Sequence, residues 1–202
     1  MLNSRPLQRG VTLIELVVVF VVIGLLAVAA GPSISTWIGN TNVRNTAQSI
    51  YAGLNRARVE AVRSNRAVRF SLVASPADPA LLDNNCALSA AGASWVVSVN
   101  NPAGACGAAP SETVAPMVVD KAAGGSSARR VVVTAVDATN TAANTVTFNP
   151  FGRVADAAPI STIQVDNEVV GGDYRVLRIL VGTGGVIRLC DVNAGVTDPR
   201  RC

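Results

Sequence analysis

The sequence predicts an α+β fold, in which one long N-terminal helix packs against a mostly antiparallel β-sheet domain. Three observations predict it: residues 11–30 are almost uniformly apolar, apolar residues then recur every three or four positions to about residue 65, and the period falls to two from residue 67. A period near 3.6 indicates helix, and a period of two indicates strand. The 202 residues leave room for one domain and an appendage.

The first element is the apolar stretch over residues 11–30, in which only Thr12 and Glu15 are polar. As a helix it would be about 30 Å long, which is the thickness of the hydrocarbon core of a bilayer. Arg5 and Arg9 precede it, and basic residues before a first apolar helix keep that end in the cytoplasm. A mean hydropathy of +0.38 agrees with a segment in lipid. An ordinary secretory signal is the alternative, but its apolar core is shorter.

Residues 32–66 are predicted to continue the helix as an amphipathic segment. Pro32 should bend the helix without ending it, because helical spacing resumes directly afterwards. The apolar residues of this segment are Ile34, Trp37, Ile38, Ala47, Ile50, Tyr51, Leu54, Ala57 and Ala61. Polar side chains lie mostly on the other faces, so the apolar stripe requires a partner, which the following strands can provide.

Residues 67–202 are predicted to form a β-rich globular domain. Val68, Phe70 and Leu72 alternate with polar or small residues, which is typical of a strand. Further short strands are predicted at residues 95–99, 117–120, 130–136, 145–148, 160–165, 174–181 and 186–189. The last two flank a glycine-rich segment, residues 182–185, which predicts a hairpin turn. The sequence leaves the strand order open.

The composition argues against an enzyme. The chain contains no histidine, which removes Ser/His/Asp and Cys/His nucleophile pairs, histidine general bases and histidine-bound zinc. No paired-carboxylate motif stands out, and the turn at 182–185 lacks the lysine and the following helix of a phosphate loop. We therefore expect no catalytic residue, no cofactor and no metal site, and a membrane-anchored enzyme is a disfavoured alternative.

Positive charge is concentrated in two parts of the chain. Residues 40–70 contain six arginines and one glutamate, and residues 173–202 contain five arginines and three aspartates. Residues 71–172 carry more acidic than basic side chains. One interpretation is a solvated helix face with ordinary surface charges. The alternative is a surface that binds a polyanion.

All four cysteines follow the apolar segment, and none lies in a CxxC pair: Cys86, Cys106, Cys190 and Cys202. An even number beyond a membrane segment favours disulfides in an oxidising compartment. Four cysteines can pair in three ways. The way that joins Cys86 to Cys106 and Cys190 to Cys202 closes the smallest loops, although the sequence leaves the connectivity open. The second bridge would hold the C-terminal residues against the last strand and contribute about 3 kcal/mol.

The N-terminal residues resemble those of a known family. Gly10 followed by VTLIEL resembles the class III signal of type IV pilins and of type II secretion pseudopilins. This resemblance implies that a prepilin peptidase cuts after Gly10, removing the leader 1–10, and that the new N-terminus at Val11 is methylated. The family usually has phenylalanine there, so Val11 is a departure. Gly24 and Pro32 also fall where pilins carry a glycine and a proline.

Glu15 becomes the fifth residue after this cleavage. A carboxylate inside a membrane helix costs roughly 2.5–3.5 kcal/mol. The resemblance implies that it pairs with the N-terminal amine of a neighbouring pilin subunit, which offsets the desolvation of both charges. Residues 11–31 would then form the transmembrane and assembly helix. We expect a single-pass inner-membrane protein with its C-terminal domain in the periplasm, which later enters a pilus on the cell surface.

Three later segments resemble the GspH/FimT group of this family: VRSNRAVRF at 62–70, TFNPFGRV at 147–154 and GGVIRLCD at 184–191. FimT-like proteins are minor pilins of type IV pili, and GspH-like proteins are minor pseudopilins of type II secretion. The C-terminal cysteine pair favours the FimT-like alternative. That resemblance also implies sequence-independent binding of double-stranded DNA in natural transformation.

The DNA-binding arginines of FimT-like proteins lie in a C-terminal Gly-Arg-x-Arg motif. Residues 185–188 match it only in part, because Val186 replaces the first arginine and Arg188 alone remains. Arg200 and Arg201 could compensate if a disulfide holds them nearby. The alternative is that these arginines pair with the neighbouring aspartates, Asp173, Asp191 and Asp198.

Overall fold

The computed structural model describes residues 11–169 and 174–202, with the backbone alone over residues 27–33. One helix, α1, extends over Leu13–Ser64. The chain divides into two compact units, Met1–Trp37 and Ile38–Cys202. Over the residues described, no helix combines the length and the apolar character needed to cross a membrane.

The second unit is built around one buried stripe of α1. Its fully buried apolar residues recur at intervals of three and four, as an amphipathic helix requires. They are Val43, Ala47, Ile50, Leu54, Ala57 and Ala61. Together with apolar residues from two β-sheets they form a single core cluster.

Nine strands supply the rest of this core in the described part of the chain. They are β1 (Val68–Ala74), β2 (Ala87–Leu88), β3 (Ser94–Ser98), β4 (Val118–Ala122), β5 (Val131–Val136), β6 (Thr145–Phe148), β7 (Thr162–Asn167), β8 (Leu177–Val181) and β9 (Ile187–Asp191). One sheet has the order β2-β1-β3-β4, with β6 also paired to β1, and the other has the order β5-β7-β8-β9. All these pairings are antiparallel. The predicted α+β fold class is therefore confirmed.

Two elements were not expected from the sequence. The strand β2 pairs with β1 through only two residue pairs, Val73 with Leu88 and Ala74 with Ala87, which is too short to produce a visible alternation. A 3-10 helix, Gly125–Arg129, lies between two of the predicted strands. Glycine and serine are common in turns, so composition does not distinguish this helical turn from an open one.

A second, smaller core lies on the outer face of the first sheet. Val73, Val96 and Val118 point away from α1 and pack with Cys86 and Cys106, which form a disulfide. The bridge therefore fastens the long loop after β1 over the sheet and covers its outer face. This explains why β1 is buried on both of its faces.

The packing of α1 on the first sheet depends on Gly53. A Cβ on this residue would lie 2.8 Å from the Trp95 ring and 2.9 Å from the Phe70 ring. These rings are in contact, with centroids 6.0 Å apart, and Trp95 donates a hydrogen bond from Nε1 to Ser49 Oγ at 3.0 Å. Glycine costs about 1 kcal/mol in a helix interior, so the close approach is what requires it here.

We expect Gly53→Ala to lower the free energy of unfolding by about 1–3 kcal/mol, because the added methyl group displaces two packed rings. This outcome runs against helix propensity, which favours alanine. Denaturant unfolding of the full chain in detergent, followed by tryptophan fluorescence, measures the change. Gly195→Ala is the matched control, since a Cβ there meets no atom within 4 Å. A Gly53→Ala protein as stable as the wild type would contradict the prediction.

Candidate functional site

The N-terminal end of α1 contains the residues expected to act in processing and assembly. Gly10 and the leader lie outside the described residues. Val11 is exposed, and Thr12 Oγ1 accepts a hydrogen bond from the Glu15 backbone N–H at 3.3 Å. A threonine followed three residues later by a glutamate is the spacing of a capping box, and a carboxylate near a helix N-terminus interacts favourably with the helix dipole. The sequence analysis did not predict this capping role, although the spacing of Thr12 and Glu15 indicates it.

The next turns of α1 expose apolar side chains on every face. Between residues 13 and 26 their exposed fraction ranges from 47% for Val17 to 82% for Leu13. A surface helix normally has one apolar stripe, and a helix that is apolar all round requires apolar surroundings on all sides. This segment therefore presents an apolar surface on all sides.

At the other end of the chain, the C-terminal residues lie beside the edge strand β9. The Asp191 N–H donates to the Arg200 carbonyl at 2.7 Å, and the Cys202 N–H donates to the Asp191 carbonyl at 3.3 Å. A disulfide joins Cys190 to Cys202, which closes one of the two shortest loops. These bonds bring Arg200 and Arg201 to the strand that carries Arg188.

The three arginines expected to bind DNA have different surroundings. Arg188 donates from Nη2 to the Arg201 carbonyl oxygen at 2.7 Å. Arg200 makes two hydrogen bonds to the Asp198 carboxylate, at 3.0 and 2.6 Å. Among the residues described, neither Arg188 nor Arg201 has a carboxylate within ion-pair distance. Pairing with an aspartate, which the sequence analysis gave as the alternative to DNA binding, therefore applies to Arg200.

The other two aspartates contribute less to this pairing. Asp191 Oδ2 lies 4.0 Å from Nη1 of Arg175, which is a weak contact. Asp173 lies outside the described residues. The positive charge of Arg188 and Arg201 is thus not offset by a described acidic side chain in direct contact.

Two further arginines, Arg44 and Arg175, were not singled out by the sequence analysis and lie near Arg200. We call Arg188, Arg200 and Arg201, together with these two, the C-terminal basic edge. Arg44 of α1 and Arg175, which precedes β8, line a pocket of about 280 Å³ together with Arg200 and Gln48. Arg44 and Arg175 are exposed. The fold brings together residues far apart in the chain here, so no local pattern could have found the pocket.

Asp198 remains charged at neutral pH. Hydrogen bonds from the Arg200 guanidinium and from the Arg200 backbone N–H lower the pKa of Asp198 to about 2. The same bonds raise the pKa of Arg200 above its usual value. The pair therefore persists at physiological pH and neutralises part of the basic edge.

Two family models match the chain. The model described as Type II transport protein GspH matches residues 46–193, and the model described as prokaryotic N-terminal methylation motif matches residues 5–31. The chain belongs to the type II transport protein GspH family. The predicted membership of the pilin-like GspH/FimT group is thereby confirmed. Members of this GspH family are typically structural subunits without enzymatic activity.

Among solved structures, this GspH-family chain resembles the type IV minor pilin FimU of Pseudomonas aeruginosa strain PAO1, in two crystal forms. The P21 form is 17% identical, with a TM-score of 0.44 over 74% of this chain and 88% of that chain. The P65 form is 17% identical, with a TM-score of 0.41 over 72% of this chain and 90% of that chain. No curated protein matches the chain.

We expect Arg200→Ala to raise the pKa of Asp198 from about 2 toward the value of about 3.9 for a free aspartate. Because the pKa in the folded state is lowered, the pair stabilises the folded chain above about pH 4 and loses its contribution as the pH falls toward 2. An NMR titration of the Asp198 carboxyl carbon measures the shift. Asp137, whose lowered pKa comes from hydrogen bonds with Thr139 and Thr141, is the internal control. An Asp198 titration unchanged by the substitution would contradict the assigned cause.

Proposed function

We propose that the chain is a FimT-like minor pilin that is processed at Gly10 and incorporated into a type IV pilus from the inner membrane. The observation that carries the proposal is the order of the two matches, with the methylation motif at residues 5–31 N-terminal to the GspH domain at residues 46–193. The all-round apolar surface of residues 13–26 supports it. A minor pseudopilin of a type II secretion system is the alternative, because the family match fits both equally. The Cys190–Cys202 bridge favours the pilin.

In this proposal, removal of the leader frees the amine of Val11, and residues 11–31 anchor the subunit in the inner membrane. The residues from 32 onward remain in the periplasm. Glu15 lies in the first turn of α1, next to its own chain terminus. We propose that a neighbouring subunit, which packs alongside with a small stagger, brings its own N-terminal amine to the Glu15 carboxylate. Such a pair offsets the cost of moving both charges out of water.

We expect Glu15→Gln to reach the membrane normally and to fall about tenfold in the sheared pilus fraction. Glutamine keeps the capping-box spacing but removes the charge, so this variant separates an intermolecular ion pair from a local helix cap. Quantitative mass spectrometry of membrane and filament fractions measures both levels. Gly10→Glu is the companion variant, and its chain should retain the ten-residue leader. Wild-type incorporation of Glu15→Gln would contradict the ion-pair account.

The choice between pilin and pseudopilin is tested by deleting the gene in its native host. Loss of surface pili or of transformation, with normal protein secretion, supports the pilin. Loss of secreted proteins with normal pili supports the pseudopilin.

We also propose that the C-terminal basic edge binds double-stranded DNA without sequence preference. Support comes from the hydrogen bond between Arg188 and the Arg201 carbonyl and from Arg44 and Arg175, which line one pocket with Arg200. The planar guanidinium group of arginine binds phosphate oxygens in pairs. Few such contacts give weak affinity that falls as salt rises. The Asp198–Arg200 pair limits this affinity further.

We expect the Arg188/Arg200/Arg201 triple alanine variant to bind duplex DNA at least about tenfold more weakly, and Asp198→Asn to bind more tightly because Arg200 is released. Fluorescence anisotropy with the full chain in detergent, at several salt concentrations, measures both changes. Each lost phosphate contact reduces the slope of log K against log salt by about 0.9. A triple alanine variant at Arg56, Arg129 and Arg130, which lie outside the C-terminal basic edge, controls for net charge. Equal affinities of the two triple variants would contradict the proposed site.

A further inference from the structure

The turn between β6 and β7 displays an exposed aromatic side chain. Phe151 exposes 84% of its surface, although burying a phenylalanine usually gains about 1.5–3 kcal/mol. Exposed aromatic residues at protein surfaces are common anchors of binding interfaces.

The backbone of this turn is fixed by its own hydrogen bonds. Asn149 Oδ1 accepts from the N–H groups of Phe151 and Arg153, both at 3.0 Å. The Gly152 N–H donates to the Asn149 carbonyl at 2.8 Å, and the Asn149 N–H donates to the Arg153 carbonyl at 2.9 Å. None of these bonds uses the Phe151 ring, so the turn is ordered independently of any partner.

The turn is also fastened to the helix and to the last hairpin. The Gly152 carbonyl oxygen accepts a hydrogen bond from Arg58 Nε at 3.2 Å. A Cβ on Gly185 would lie 1.8 Å from that oxygen, and Gly185 has φ +82°, so only glycine fits there. Two segments that carry the family resemblance, NPFGRV and GGVIRLCD, thus meet at this contact, and Phe151 projects from a rigid platform.

Exposed apolar residues of α1 lie beside the turn. Val59 and Val62 are 59% and 54% exposed, and a Cβ on Gly152 would lie 3.2 Å from Val62 Cγ2. With Arg58, the two valines line a shallow groove. We call Phe151, Val59, Val62, Arg58 and Arg153 the Phe151 patch.

The charge of the Phe151 patch is positive. In the described part of the chain, neither Arg58 nor Arg153 has a carboxylate within ion-pair distance, whereas the neighbouring Arg63 pairs with Glu60 at 2.8 Å. The patch therefore combines exposed apolar side chains with two arginines that no described carboxylate neutralises. A complementary surface has an apolar pocket and an acidic rim.

We infer that the Phe151 patch is the docking surface for another subunit of the same filament, which presents an apolar pocket with an acidic rim. This inference rests on the proposed incorporation into a pilus or pseudopilus. A protein partner fits better than a lipid surface, because one rigid aromatic ring with two valines suits a shaped pocket. Membrane attachment would require a larger apolar face with more basic residues around it.

The test compares Phe151→Glu with Val196→Glu in full-length chains in the native host. Val196 is a matched control, because it is also 84% exposed and lies outside the Phe151 patch. We expect Phe151→Glu and Arg153→Glu to lower the filament-to-membrane ratio of the chain about tenfold, and Val196→Glu to leave it unchanged. Thermal unfolding and disulfide content of membrane-extracted Phe151→Glu should equal those of the wild type.

A photoreactive phenylalanine at position 151 then identifies the partner. We expect it to cross-link to a peptide of another pilin-type subunit that contains aspartate or glutamate, and the same group at position 196 to yield no such product. Cross-links only to lipid, or only to a second copy of this chain, would overturn the inference.

The two levels of proposal fail differently in this test. If the wild-type chain is absent from filaments, both the proposed incorporation and the docking surface are rejected. If the wild-type chain is present and its filament-to-membrane ratio equals that of Phe151→Glu, only the docking surface is rejected.

Discussion

The burial of one stripe of α1 under two antiparallel sheets is the constraint on which the rest of the second unit depends. The stripe from Val43 to Ala61 packs with residues of both sheets in one core, so only the remaining faces of the helix are available for other contacts. Arg44 emerges near the C-terminal edge, and Val59 and Val62 emerge beside the Phe151 turn. The functional surfaces proposed for this chain are therefore defined by what the sheets leave uncovered.

Some arginines of this chain pair with carboxylates within the fold, and others do not. Glu60 is buried, and its hydrogen bonds from Arg63 hold its pKa below the usual value. That ion pair lies within α1 and stabilises the helix. Arg200 is likewise occupied by Asp198. Among the residues described, Arg188 and Arg201 at the C-terminal edge and Arg58 and Arg153 at the Phe151 patch have no such partner, so net charge alone says little about where this chain binds.

Local patterns predicted most of the elements, because a helical stripe and an alternating strand are visible in neighbouring residues. The separation into two sheets was not visible, since it depends on which strand pairs with β1 and which with β7. Loop size favoured the Cys190–Cys202 bridge at the level of the sequence. The pocket around Arg44 and Arg175 could not be predicted in this way, because its residues are far apart in the chain. Phe148 and Phe151 both belong to the segment TFNPFGRV, and only their exposure in the structure distinguishes the surface residue Phe151 from the core residue Phe148.

The replacement of the first motif arginine by Val186 need not remove a polyanion site. Val186 is 64% exposed and follows a glycine that no other residue can replace, so the hairpin geometry is kept while the charge is lost. The C-terminal segment returns charge to the same edge, because Arg188 binds the Arg201 carbonyl and the disulfide holds the tail there. Backbone hydrogen bonds of Asp191 with Arg200 and Cys202 hold the tail there as well. The charge of the proposed basic edge thus comes from two separate segments of the chain, whereas the family motif would supply it from one hairpin.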